Sequence, residues 1–342
     1  MSEHTNIEWA DHTFNPWVGC TKVGPACDNC YAEGWAKYTG QPELWNGERR
    51  RTTATNWQQP IKWDRAAAAA GVRRRGFPSL CDPFDNQIPQ RWRDDLWHRI
   101  EQTPHLDWLL LTKRPGNIAR MLPNPTTGVK PWGNGWPNVW LGVSAGIQED
   151  ADRNIPILLA AAARIHFVSL EPLLGPIDLT RIKLKGIVDP FDALAGATWS
   201  RPPSLNGARF FSSNIARDDR AKLDLVIAGG ETGPRARPMH PDWPRSLRDQ
   251  CVDAGVSFYF KRHGQWIGVP DLRRLPGGQG PGFGIFDRCR YDQDHEAVRV
   301  GARAAAASST GACGDRCLRQ GSDYSARPEA IRRLAAPIRT LH

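Results

Sequence analysis

A chain of 342 residues with 40% apolar and 24% charged residues and a net charge of +9 has the composition of a soluble globular protein, one large domain or two ordinary ones. No uncharged apolar run approaches the roughly 20 residues needed to cross a bilayer, so no membrane partner is expected. No basic segment followed by an apolar one opens the chain, so no signal peptide is expected either. A cytoplasmic location follows, where thiols stay reduced and can bind metal. From Glu296 onward eight arginines face four acids, which leaves the body only mildly basic. That is compatible with a nucleic-acid partner without indicating one. The Arg73, Arg74 and Arg75 run reads as a solvated loop. Many of the fifteen tryptophans crowd the first part of the chain. They read as core and loop-closing residues, or as stacking surfaces for a base or an adenine ring.

In chain order, residues 1–33 hold a short apolar-polar alternation and then a cysteine-containing loop, with a helix expected over Tyr31 to Lys37. Residues 39–76 read as a helix and an insertion. A strand at 77–85 precedes a helix over about Gln90 to Gln102. DWLLLTKRP (107–115) and VWLGVSAG (139–146) are continuous apolar strands, followed by a helix over Ala151 to Ala163. RIHFVSLEPLLG (164–175), DLVIAGGETG (224–233) and SFYFKRHG (257–264) complete the series. A polar insertion is expected at about 181–222, and a helix over Asp242 to Ala254. Continuous apolar strands alternating with helices indicate a parallel sheet. About seven such units, with no Gly-x-Gly-x-x-Gly turn after the first, suggest a complete or partial (β/α) barrel. Cys20, Asp82, Lys113 with Arg114, Ser144, Glu171, Glu231 and Lys261 all fall at strand C-terminal ends, the rim that carries barrel active sites. One α/β domain is expected over 1–295. Residues 296–342 read as an appended, mostly disordered tail.

The loop NPWVGCTKVGPACDNCYAE places Cys20, Cys27 and Cys30 in a C-x6-C-x2-C spacing. Three thiols so close are too odd in number for a disulfide framework and look like metal ligands. They could hold three irons of a [4Fe–4S] cluster and leave the fourth iron open. Structural zinc is the alternative and needs a fourth ligand, from Asp28, His12 or Cys81. The absence of any metal remains a third reading. Cys81 and Cys251 otherwise read as small buried residues, and Cys313 with Cys317 form a pair in the tail.

Gly229, Gly230 and Glu231 form a second motif. Glycines after a strand let backbone approach a ligand, and the glutamate sets one carboxylate there. Arg235 and Arg237 add planar donors for carboxylate or phosphate. The same basic residues could instead pair with Glu171 and Glu231.

The strings NPWVGCTKVGPACDNCYAE, LLLTKRP, VWLGVSAG, VSLEPLLGPIDL, VIAGGETGPRARPMHPDW and FYFKRHGQW together resemble, in order, a phage-associated family of unknown function. That family carries a three-cysteine motif and is regarded as radical-SAM-like. The resemblance covers roughly residues 5–300. It implies a barrel of the radical SAM type with Cys20, Cys27 and Cys30 on a [4Fe–4S] cluster. It also implies S-adenosylmethionine at the open iron, an electron donor as partner, and a radical that abstracts hydrogen from an unknown substrate. Tyr31, Lys113, Ser144, Glu171, Gly229, Gly230, Glu231 and Arg237 become the cofactor-contacting candidates.

Two departures from the wider superfamily stand out. The first gap is six residues instead of three, with Asn29 where an aromatic residue is usual, and the Gly-Gly-Glu motif follows roughly the sixth strand instead of the second. The tail also lacks the expected family ending, and a frameshift near residue 302 is the reading offered for it. The leading expectation is a radical SAM-like enzyme. The alternative is a non-catalytic metal-binding protein associated with nucleic acid, and a nucleic acid or nucleotide substrate suits the basic rim.

Overall fold

The computed structural model describes residues 5, 7, 9–200, 210–211, 221–233, 235–264, 266–268 and 297–299. Seven strands form one sheet in sequence order: β1 (His12–Thr13), β2 (Arg74–Phe77), β3 (Leu106–Thr112), β4 (Val139–Ser144), β5 (Ile165–Leu170), β6 (Leu225–Gly229) and β7 (Ser257–Arg262). Every neighbouring pair is parallel. Parallel pairing needs a crossover after each strand, and helices supply most of them. The helices are α1 (Tyr31–Tyr38) and α2 (Gln59–Ala69) after β1, α3 (Gln90–Glu101) after β2, α4 (Gln148–Leu159) after β4 and α5 (Asp242–Asp253) after β6.

The apolar strands divide by their period of two. Trp108, Leu110, Leu141, Val143, Val168, Leu170, Val226 and Ala228 join one core with Trp63, Leu96, Trp97, Ile155, Leu158, Leu247 and Cys251 from the helices. Leu109, Trp140, Ile165, Phe167, Leu225, Ile227 and Tyr259 form a second core with Trp9 and Phe77 on the other face. The helices thus cover one face, and the second face closes on its own side chains. Phe77 and Phe167 stand on β2 and β5, about 14 Å apart in a flat sheet. The ring of Trp9 nevertheless lies 4.4 Å from one and 6.5 Å from the other. The sheet is curled around Trp9, a half-barrel with β1 and β7 as its two edges. Of the complete or partial barrel expected, the partial form is the one seen among the described residues.

Several expected boundaries move. The strand expected at 77–85 is Arg74–Phe77, so Cys81 and Asp82 lie in the loop beyond it. Arg74 and Arg75 belong to that strand instead of a solvated loop. Arg75 pairs with Asp11 at 2.9 Å and Arg73 with Asp107 at 2.8 Å, which neutralises the basic run at the N-terminal end of the sheet. Within 39–76, Arg50–Arg51 pair antiparallel with Trp17–Val18 and so brace the approach to Cys20. The 181–222 segment is not simply a polar insertion: Ile182, Phe191, Ala193 and Leu194 are buried in the helix-side core. Residues 201–209 and 212–220 lie outside the described residues. Of the 296–342 tail only Ala297–Arg299 are described, paired antiparallel with Trp266–Gly268. The expected disorder and frame change, like Cys289, Cys313 and Cys317, fall outside the described residues. Among the described residues no helix is long and apolar enough to cross a membrane.

Gly142 on β4 has no side chain because the Phe167 ring occupies the space a Cβ would take. Gly142→Ala should therefore destabilise the fold by about 1–3 kcal/mol through overpacking. Adding Phe167→Leu should recover part of the loss, and denaturant unfolding measures both. An undiminished midpoint in Gly142→Ala would contradict this packing.

Candidate functional site

The inward-facing residues change character along each strand. On β3 they run Leu109, Leu111, Lys113; on β4, Trp140, Gly142, Ser144; on β5, Ile165, Phe167, Ser169, Glu171; on β7, Tyr259, Lys261. The half-barrel interior is apolar below and polar at its C-terminal mouth. A cavity of about 400 Å³ opens there. Ile7, Trp9, Phe77 and Leu111 line its apolar part, and Cys20, Cys27, Cys30, Tyr31, Asp82, Lys113, Arg114, Ser144, Ser169, Glu171, Glu231 and Lys261 also border it. The rim residues singled out in the sequence therefore share one cavity.

Two polar networks hold the cysteine loop over this mouth. The first supports Cys20. Gly19 takes φ +120°, and a Cβ there would stand 2.5 Å from the Glu48 carbonyl oxygen, so only glycine fits before the cysteine. Arg114 donates to Cys20 Sγ at 3.4 Å, to Asp82 at 3.1 Å and to the Thr21 carbonyl at 2.8 Å. Asp82 also accepts from Thr112 Oγ1 at 2.9 Å and the Lys113 amide at 3.1 Å. Fully buried Asp85 accepts from Arg49 at 2.6 Å, and Arg49 reaches Thr21 Oγ1 at 2.9 Å. Burial raises the Cys20 pKa, and the Arg114 guanidinium only partly opposes it. A bound cation would supply the charge that favours the thiolate.

The second network holds Cys27 and Cys30. Asn29 donates to Glu231 at 3.0 Å and to the Arg235 carbonyl at 2.8 Å. Arg237 binds Glu231 through its backbone amide at 2.8 Å, Nε at 2.9 Å and Nη2 at 2.6 Å. It also donates to the Pro25 carbonyl at 2.8 Å and to Asp28 at 3.3 Å. Glu231 is 5% exposed. Burial alone would raise its pKa, but the hydrogen bonds from Arg237 and Asn29 outweigh that and hold it below the usual glutamate value. Lys22, inside the six-residue gap, donates to the Asp28 carbonyl at 3.1 Å and pairs with Glu33 at 2.8 Å. Tyr31 at the start of α1 donates to the Ser79 carbonyl at 2.5 Å.

This geometry revises several expected roles. Glu231 and Arg237 are occupied with the cysteine loop, and Arg237 does not border the cavity. Gly230 borders the cavity, and a Cβ there would overlap the His263 carbonyl, so the close approach of the chain after β7 requires a glycine. Gly229 does not border the cavity. Of the candidate fourth zinc ligands, Asp28 is paired with Arg237, and His12 stacks on Trp63 at 4.4 Å away from the cavity lining. Cys81 borders the cavity, and burial pushes its thiol pKa well up. Among the described residues no three His, Cys, Asp or Glu side chains converge as a group that could hold a metal ion. Cys20, Cys27 and Cys30 are free thiols, Cys27 buried and the other two half-buried. Cys251 is buried on α5, its pKa pushed up to about 12 by burial. Trp17, Trp97, Trp108 and Trp140 are fully buried, which favours the core reading of the tryptophans, while Trp9 and Trp45 border the cavity.

Lys113 Nζ lies 3.1 Å from Ser144 Oγ, and Lys261 pairs with Glu171 at 2.6 Å. Sequence reasoning missed Ser169, Asn29, Arg49 and Asp85. The inward period of two could have found Ser169, which is level with Ser144 across β4 and β5.

The chain matches DUF5131, described as a protein of unknown function, over residues 4–315, and it belongs to that family. No curated protein and no solved structure matches it.

Removing the Arg237 guanidinium should release the loop. Arg237→Ala is expected to speed alkylation of Cys27 by iodoacetamide roughly tenfold, the equivalent of one charged hydrogen bond. An unchanged rate would contradict the clamp. Because the Glu231 pKa is lowered on folding, its stabilisation is fully present above the usual glutamate value and fades as pH falls through the folded value. Glu231→Gln should therefore flatten the acid limb of a stability-against-pH curve, and an unaltered limb would count against it.

Proposed function

We propose that this member of the DUF5131 family is a radical SAM-like iron–sulfur enzyme. The observation that carries the reading is the position of Cys20, Cys27 and Cys30. They sit on a loop after β1, over the C-terminal mouth of a parallel half-barrel, and border the same cavity as the strand-end side chains. Three thiolates suit a [4Fe–4S] cluster with one iron left for a small ligand. The donor set suits such a cluster in kind, because three free thiols border one cavity. When bound and reduced, the cluster would supply the electron that splits S-adenosylmethionine into methionine and a 5′-deoxyadenosyl radical.

The chain's own residues do the rest. Arg114 and the Arg237–Glu231–Asn29 clamp fix the three thiols relative to the sheet. Glu171 and Lys261 present polar groups at the mouth, where an amino-acid moiety could be oriented. The apolar floor of Trp9, Phe77 and Leu111 keeps water from a reactive intermediate. Asn29, where an aromatic residue is usual, fits the same reading because here that position anchors Glu231.

Anaerobic reconstitution with iron and sulfide tests the proposal. The expected result is about four irons per chain, with an electron paramagnetic resonance signal that S-adenosylmethionine alters, and loss of both in Cys27→Ala. One tightly bound zinc with no response to S-adenosylmethionine would overturn it.

A further inference from the structure

We propose that Lys113, Ser144 and Ser169 form a cup that binds a phosphate group of the ligand. This deepens the reading above, and rests on it in taking the cavity as the place where substrate is held.

The cup is built by three adjacent strand ends. Ser144 ends β4 and is level with Ser169 on β5, and Lys113 follows the end of β3. Lys113 is held at both ends: its amide donates to Asp82 at 3.1 Å and its ammonium to Ser144 Oγ at 3.1 Å. Ser169 is 2% exposed and borders the cavity. Its hydroxyl has no hydrogen-bond partner among the described residues. The oxygen reaches the cavity instead of being sealed in the core, so a ligand oxygen or a water can meet it there.

Charge narrows the class of ligand. Each carboxylate bordering the cavity already has a cation: Asp82 has Arg114, Glu171 has Lys261 and Glu231 has Arg237. Lys113 and Arg262 also border the cavity, and among the described residues neither lies within ion-pair distance of a carboxylate. In the cup itself the Lys113 ammonium, with no carboxylate beside it, stands with two hydroxyls, three donors that suit an anion with at least three acceptor oxygens better than a two-oxygen carboxylate. A phosphate monoester supplies these oxygens, which can accept from an ammonium and two hydroxyls together. Trp9 and Phe77 beside the cup would take an apolar or planar organic body.

Calorimetric titration of the full-length chain with inorganic phosphate, adenosine 5′-monophosphate and acetate tests this. Phosphate and the monophosphate should bind, and both should weaken about tenfold or more in Lys113→Ala and in Ser169→Ala. Lys113→Arg should keep most of the affinity, and Lys62→Ala, on the exposed side of α2, should keep all of it. Should Lys113→Ala fail to fold by circular dichroism, Ser169→Ala, which removes one oxygen, decides. Tighter binding of the monophosphate than of phosphate, or equal binding, supports the cup. No phosphate binding, binding indifferent to both alanine variants, or acetate binding as strongly as phosphate overturns it. The same preparation is assayed for reconstituted iron. Phosphate binding without iron would then sink the cluster reading alone, and iron without phosphate binding would sink the cup alone.

Discussion

The Arg237 guanidinium joins two parts of the chain that the sheet itself leaves apart. The cysteine loop follows the first strand, and Glu231 follows the sixth. Among the described residues no backbone hydrogen bond joins those regions. Arg237 fills the gap by binding Glu231 on one side and the Pro25 carbonyl and Asp28 on the other, while Asn29 reaches the same carboxylate. A half-buried guanidinium with several fixed partners does this well, because its planar fork loses little freedom for each bond it makes. Without the clamp the loop would still be anchored at Cys20 by Arg114 and Gly19 and beside Cys30 by the Tyr31–Ser79 bond, but the segment around Cys27 would lose its ties to the end of the sixth strand.

The cavity follows from that arrangement. The curled sheet aims alternate residues of each strand inward, and the side chains fill the lower half with Trp140, Phe167 and Tyr259. At the mouth the same positions become Lys113, Ser144, Ser169 and Lys261. The loop with its thiols forms one wall and the strand ends another. Acids and bases there are mostly consumed by one another, so the few left without a partner carry the information about a ligand.

Much of this was legible in the sequence. Continuous apolar runs gave the parallel strands, since strands buried on both faces need no polar alternation. The residues that end them, from Asp82 to Lys261, meet at one cavity because parallel strands point their C-terminal ends the same way. The sheet's closure was not legible, because whether seven strands complete a barrel depends on twist and shear, which leave no local mark. The separate duties within the Gly-Gly-Glu motif were not legible for a different reason. A glycine needed for backbone packing, as Gly230 is against His263, reads the same as one needed for a ligand. Asn29 and Glu231 stand 202 positions apart, and no local pattern connects them. Ser169 was hidden inside an apolar string, where only counting inward positions by twos would have paired it with Ser144.

The claim at the centre of this account is that three cysteines on a clamped loop hold an iron cluster with one iron open to the cavity. Mössbauer spectroscopy of the chain reconstituted with iron-57 tests it most directly. The account predicts a cubane cluster in which a single iron site changes its isomer shift when S-adenosylmethionine is added. A spectrum with no cluster iron, or a cluster whose sites all ignore S-adenosylmethionine, would contradict it.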